Sequence, residues 1–179
     1  SSGSGAAMSL RLASLAVGTE TNGSIICPAS INGVVGFKPT VGLLSRTHIV
    51  PISFSQDTAG PMTSNVQDAW LMTAIMAGPD ASDNATLDAE SHRPAMPTSS
   101  MLATDLKGKR IGVVRYRQGD NPHVLAVYES ALKQLKASGA TLVDISDFSQ
   151  PDSFWADSYN VLLSEFHHSI NEYLSGSPA

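Results

Sequence analysis

Cysteine, basic clusters and long apolar runs are what this sequence has least of. Cys27 is the only cysteine among 179 residues, which excludes an internal disulfide and a cysteine-built zinc site. As a lone thiol it is expected to be buried as a small core residue. No apolar run reaches the roughly 18 residues of a membrane-spanning helix, and the N-terminus lacks the basic start and apolar stretch of a signal peptide. Nothing calls for an oxidising compartment, so a cytoplasmic location is the default expectation. Charged residues make up 15% of the chain and the formal net charge is -5. Without clustered Lys and Arg, neither nucleic acid nor an anionic membrane is an expected partner. What is present is an ordinary apolar share, 42%, on a chain long enough for one domain with its own core. The opening SSGSGAAM has no initiator Met. The sequence is therefore expected either to be an incomplete gene product or to follow an expression linker.

Along the chain, Ala6 to Val17 is rich in Ala, Leu and Ser, which suits a short buried helix entered from a Gly/Ser loop. GTETNGS, from Gly18 to Ser24, is all turn formers and small polar residues, and it feeds Ile25, Ile26 and Pro28, the start of a helix. Val34, Val35 and Phe37 suggest a short buried strand, followed by a winding segment through Pro39, Gly42 and Pro51 as far as Met62. Ser64 and Gln67 form a capping-box pattern ahead of a helix that Gly78 and Pro79 stop. The polar, Pro-containing stretch 80–104 reads as a surface linker, which divides the chain into 1–79, 80–104 and 105–179. Ile111 to Val114, Val124 to Ala137 and Thr141 to Ile145 make a βαβ unit, which predicts an α/β class with a parallel strand pair. A final helix from about Ser153 to Leu174 carries Trp155, Tyr159, Leu162, Leu163, Phe166, Ile170 and Tyr173 at helical spacing, an apolar stripe that predicts core packing.

SSGSG and GTETNGS are two Ser/Gly-rich loops, each of which suits a phosphate cradle, an oxyanion site or plain turn chemistry. Neither carries the GK[ST] of a P-loop or the GxGxxG of a dinucleotide site. A serine at a helix entrance, behind a run of main-chain N–H donors, suits acyl transfer. The five histidines, His48, His92, His123, His167 and His168, stand in contexts that do not suggest a base. Neighbours such as His167 and His168 project about 100° apart on a helix and do not make a metal pair. No metal and no cofactor is expected.

Three runs, SSGSGAA, GTETNGSIICPASINGVVGFKPTVGLLSR and VPISFSQDTAGPM, strongly resemble the amidase signature family, and among its members the bacterial peptide amidases. The likeness covers Ser1 to Pro79 almost without gaps, and FWADSYNVLLSEFHHSINEYL also looks like the peptide amidases. The resemblance implies the amidase signature fold, a mixed sheet covered by helices on both faces. It implies a triad of serine, a second serine in a cis peptide and lysine, in which a desolvated neutral lysine takes the proton through the bridging serine. By position the nucleophile falls on Ser24, the oxyanion-hole amides on Thr21, Asn22, Gly23 and Ser24 itself, and a supporting threonine on Thr19. The bridging serine falls just before Ser1 and the lysine farther upstream, so residues 1–179 alone are expected to be inactive. Lys38, in GFKPT, follows the nucleophile and does not match the family's base.

Glu20 stands where most members have Asp, Asn22 where they have Gly or Asp, and Ile26 where many have Arg. Without that arginine, bidentate recognition of a substrate carboxylate at this spot is not expected. The leading expectation is hydrolysis of a carboxamide, with small amides or peptide C-terminal amides as substrates. One alternative is the A subunit of a glutamine-dependent tRNA amidotransferase, partnered by other subunits. A second is a non-catalytic scaffold in which Ser24 caps a helix.

Overall fold

The computed structural model describes residues 1–98, 105–146 and 151–176. The chain divides into two compact units, residues 1–98 with 155–179, and residues 99–154. Both parallel and antiparallel strand pairs occur, each kind in its own sheet, and the α/β class follows.

In the first unit, helix α1 (Ser2–Ser9) leads to β1 (Ala16–Glu20), α2 (Ile26–Asn32), β2 (Val35–Gly36), β3 (Thr58–Thr63) and α3 (Val66–Met76). The SSGSG segment expected as a loop is therefore largely helix, and the expected Ala6–Val17 helix ends early and gives way to strand. Packing accounts for the shift. Gly5 is buried where α1 meets α2, and a Cβ there would lie 3.2 Å from the Pro28 carbonyl. Small residues let the two helices approach, and that tertiary contact outweighs the weak helix propensity of glycine.

The winding segment ends in a strand that the sequence hides. β3 is buried at every residue and lies at the centre of a three-stranded antiparallel sheet, β1-β3-β2. Pro61 sits inside it, opposite Val17 of β1. A central proline is unusual because it cannot donate to the ladder. Here its carbonyl accepts the Phe37 N–H at 3.1 Å, but it has no N–H to answer the Phe37 carbonyl, so β2 stops after two residues. Phe37, expected within a buried strand, is 44% exposed.

Helix α3 begins one residue later than the capping box predicts. Asn65 is the cap, and its side chain accepts the Asp68 N–H at 2.9 Å. Beyond it, the segment read as a surface linker is anchored as far as residue 92, and its last residues, 99–104, lie outside the described part. Asp83, Thr86 and Ala89 are buried around two short 3-10 turns, Asn84–Thr86 and Ala89–His92. The Arg46 guanidinium spans both oxygens of Asp83, at 2.9 Å and 2.6 Å, while Ser45 and Thr47 donate to Asp80. Such forked pairing fixes geometry as well as charge.

The long helix α5 (Phe154–Gly176) groups from Trp155 onward with the first unit, not with the βαβ segment it follows in sequence. Glu165 makes the attachment, accepting hydrogen bonds from the hydroxyls of Ser53 and Ser55 and from the Ser55 N–H. The stripe expected to be core is mostly open: Trp155 and Tyr159 are 59% and 60% exposed, and Ser169 is the one buried residue of the helix among those described.

The second unit is the expected βαβ. β4 (Arg110–Val114) pairs parallel with β5 (Thr141–Ile145), joined through α4 (Pro122–Ala137). Asn121 caps α4, and Arg115 links Glu129 of the helix with Asp144 of β5.

The Asp83 carboxyl is held down to about 2 from its ordinary 3.8, first by the Arg46 side chain and then by the amides of Arg46 and Ala85, against the opposing effect of burial. A depressed acid stabilises the fold above its unfolded value and loses that effect as pH falls through its folded value. Asp83→Asn should therefore lower stability at neutral pH by about 2 kcal/mol and flatten the loss between those two values, read by urea unfolding over pH.

Candidate active site

The Gly18–Ser24 segment, expected to be all turn, begins as the last three residues of β1, paired with β3, and turns toward α2 only after Glu20; its course is set by burial. Ile25 is fully buried and packs with Met8, Ala29 and Met62. Ser24, beside it, is exposed. Burying a large aliphatic side chain contributes about 2 kcal/mol, which pins the residue after Ser24 to the core. Gly23 has φ +95, a conformation in which a side chain would be strained, although a Cβ there would meet nothing within 4 Å. The glycine before Ser24 is thus needed for its backbone and not for lack of room.

Three further tethers shape the loop. Glu20 is 6% exposed, and one of its carboxylate oxygens accepts the N–H groups of Ile25 at 2.8 Å and Ile26 at 2.9 Å. Burial pushes this carboxyl up, but the amides of Ile26, Gly23 and Ile25, with the charge of Lys38, outweigh that and hold it below the ordinary range. The carboxylate thereby fills the role of a cap that no side chain of Ser24 or Ile25 performs at this helix. The second tether is Thr21, whose buried hydroxyl donates to Asp57 at 2.5 Å. The other oxygen of Asp57 takes the N–H groups of Ile52 and Ser53 at 2.7 Å and 2.8 Å. The third is Lys38, whose ammonium donates to the Thr21 carbonyl at 2.6 Å.

Ser1 joins from α1. Its hydroxyl accepts the Thr19 N–H at 2.8 Å and donates to the Thr19 carbonyl at 3.0 Å, while Ser4 donates to the Val17 carbonyl at 2.8 Å. Thr19, Asn22 and Ser24 are all exposed on this segment, Gly23 is half-buried and Thr21 is buried. The Gly23 amide lies on the Glu20 side of the loop. Among the described residues, no hydrogen bond engages the amides of Asn22 and Ser24 or the Ser24 hydroxyl. Glu20, Lys38, Asp57 and Ser1 carry geometry here that sequence reasoning assigned to none of them. The unusual Glu20 and the Asp57 in SFSQD were the visible signals.

Cys27 departs from expectation. It is exposed, in the first turn of a helix whose buried side is taken by Pro28 and Ala29. The histidines remain apart from Ser24 in their bonding: the described side-chain partners are Asp88 for His92 and Glu172 for His168. Among the described residues no cluster of His, Cys, Asp and Glu could hold a metal ion, and no helix is long and apolar enough to cross a membrane.

A family model described as Amidase matches residues 1–177. The A subunit of glutamyl-tRNA(Gln) amidotransferase from Ruegeria sp. is 46% identical over 149 residues, which cover 82% of this chain and 29% of that protein. A putative amidase from Arthroderma benhamiae is 44% identical over 151 residues, 83% of this chain and 26% of that one. Among solved structures, native peptide amidase from Stenotrophomonas maltophilia superposes with a TM-score of 0.79 at 42% identity, covering 97% of this chain and 35% of its own. The amidotransferase A subunit from Thermotoga maritima gives 0.77 at 31% identity, over 98% and 37%. The chain thus spans about a third or less of the length of these relatives.

The strand that positions Lys38 depends on one close approach. A Cβ on Gly60 would run into the Phe37 carbonyl and lie 3.0 Å from Pro39. Gly60→Ala should cost about 3 kcal/mol of stability, measured by chemical unfolding, because backbone and not a flexible side chain must move.

Proposed function

The chain belongs to the amidase family, and from that premise we propose that the protein hydrolyses carboxamides with Ser24 as its nucleophile. The observation that carries the reading is the placement of Ser24: exposed at a loop-to-helix junction, next to a fully buried Ile25, with the Asn22 amide and its own unengaged. In the first step the Ser24 oxygen attacks the amide carbonyl and a base takes its proton. The carbonyl oxygen becomes an oxyanion, stabilised by main-chain donors of the Thr21, Asn22, Gly23 and Ser24 segment. With Gly23 turned toward Glu20, Asn22 and Ser24 are the principal donors in this reading. The C–N bond then breaks, the departing amine takes up the proton, and the acyl group stays on Ser24. Water repeats the attack and releases the acid.

The base in this reading is the bridging serine and lysine that the family resemblance implies, neither of which has a counterpart by position among residues 1–179. Lys38 is not proposed for it, because its ammonium is already committed to the Thr21 carbonyl. Thr19 is proposed as a supporting residue, its main chain fixed by Ser1. Peptide amides are the proposed substrate class, supported by the 42% identity to a peptide amidase and by Ile26, which offers no cation to a substrate carboxylate.

A second reading is favoured by the 46% identity to an amidotransferase A subunit. There the same chemistry would release ammonia from glutamine for use by partner subunits. Turnover of glutamine in preference to peptide amides would select it. Under either reading, Ser24→Ala in the full-length protein should lower amide hydrolysis at least about 1,000-fold with folding intact, measured as ammonia release. Retained turnover would show that Ser24 is not the nucleophile, whereas a parent protein that releases no ammonia would support the scaffold alternative.

A further inference from the structure

We infer that Lys38 is a positioning residue for the oxyanion hole, acting through the Thr21 carbonyl on the Asn22 amide; the inference rests on Ser24 being the nucleophile. The Lys38 ammonium reaches the Thr21 carbonyl at 2.6 Å, a short charge-assisted hydrogen bond. That carbonyl and the Asn22 N–H belong to one planar peptide unit, and across a trans peptide the two point in opposite directions. A cation on the carbonyl face therefore turns the Asn22 N–H the other way, toward the exposed side of the loop where Ser24 stands.

The same contact acts on electron density. Amide resonance couples the carbonyl oxygen to its nitrogen, so a positive charge at the oxygen makes the attached N–H a stronger donor. Hydrogen bonds chained in this way strengthen one another by about 10–30%. A fixed, polarised donor is what an oxyanion requires, because it need not reorganise as charge develops.

Lys38 is well placed to hold that geometry. It lies two residues past β2, between Phe37, whose N–H is bonded to Pro61 of the buried β3, and the buried Pro39. Thr21 is held independently through its hydroxyl by Asp57, so the peptide unit is gripped at a side chain and at a carbonyl. A surface lysine paired for solubility would need neither the half-buried position nor a main-chain partner.

The test uses the full-length protein with an N-acetylated dipeptide amide as substrate and a peptide aldehyde as inhibitor. The aldehyde adds to a serine to give a tetrahedral oxyanion. Lys38→Met is expected to lower kcat about 10- to 100-fold, a fraction of what losing a whole oxyanion donor costs, with KM within about threefold. Aldehyde affinity should fall by the same factor as kcat. A folded Lys38→Met variant with kcat and aldehyde affinity within about twofold of the parent would overturn the inference, as would a loss confined to KM. If Lys38→Met does not fold, Lys38→Gln decides, since it keeps an N–H donor without the charge: a selective fall in kcat supports the inference, and an unchanged kcat overturns it. Ser24→Ala is assayed alongside. If it retains turnover, the nucleophile reading itself has failed, whatever Lys38 does.

Discussion

A buried carboxylate at the mouth of a short helix is the constraint from which the rest of this site follows. Glu20 gathers the amides of Ile25 and Ile26 into one oxygen, and so fixes how β1 turns into α2. Leaving the buried Ile25 donor without a partner would cost about 1–3 kcal/mol, so the turn has little freedom to relax. With Ile25 held in the core on the other side, the residue between them has one place to go, which is outward. Ser24 is presented because its neighbours are restrained, not because it makes bonds of its own.

The surrounding elements serve the same end at longer range. β3, buried at every position, carries β1 on one edge and β2 on the other, and brings the Lys38 segment and the Asp57 loop to the buried Thr21. Two charged side chains then hold the turn from its solvent-remote side, one through a hydroxyl and one through a carbonyl. Farther out, Arg46 and Asp83 clamp the loops that follow, and Glu165 ties α5 to Ser53 and Ser55, next to the amides that Asp57 accepts.

The βαβ unit, the helix at 66–76 and the entry of α2 were legible because local pattern and tertiary outcome agree there. β3 was not, since Gly60 and Pro61 mask a strand that exists only through pairing on both edges. The helix at SSGSG has no local signature, because it depends on close packing of Gly5 against α2. Cys27 fell on the open face of α2, where a general tendency of cysteine to be buried had no bearing. At the site, the motif pointed to Ser24, but Glu20 and Lys38 act on main-chain atoms of the segment and Asp57 on the Thr21 hydroxyl 36 residues away, and such pairings become visible only in the fold.

The measurement that bears most directly on Ser24 is mass spectrometry of the full-length protein after reaction with a serine-directed fluorophosphonate. The account predicts a single covalent adduct on the peptide containing Ser24, lost when a peptide amide is present in excess. A protein that turns over amides yet carries the adduct on a different serine, or carries none, would contradict it.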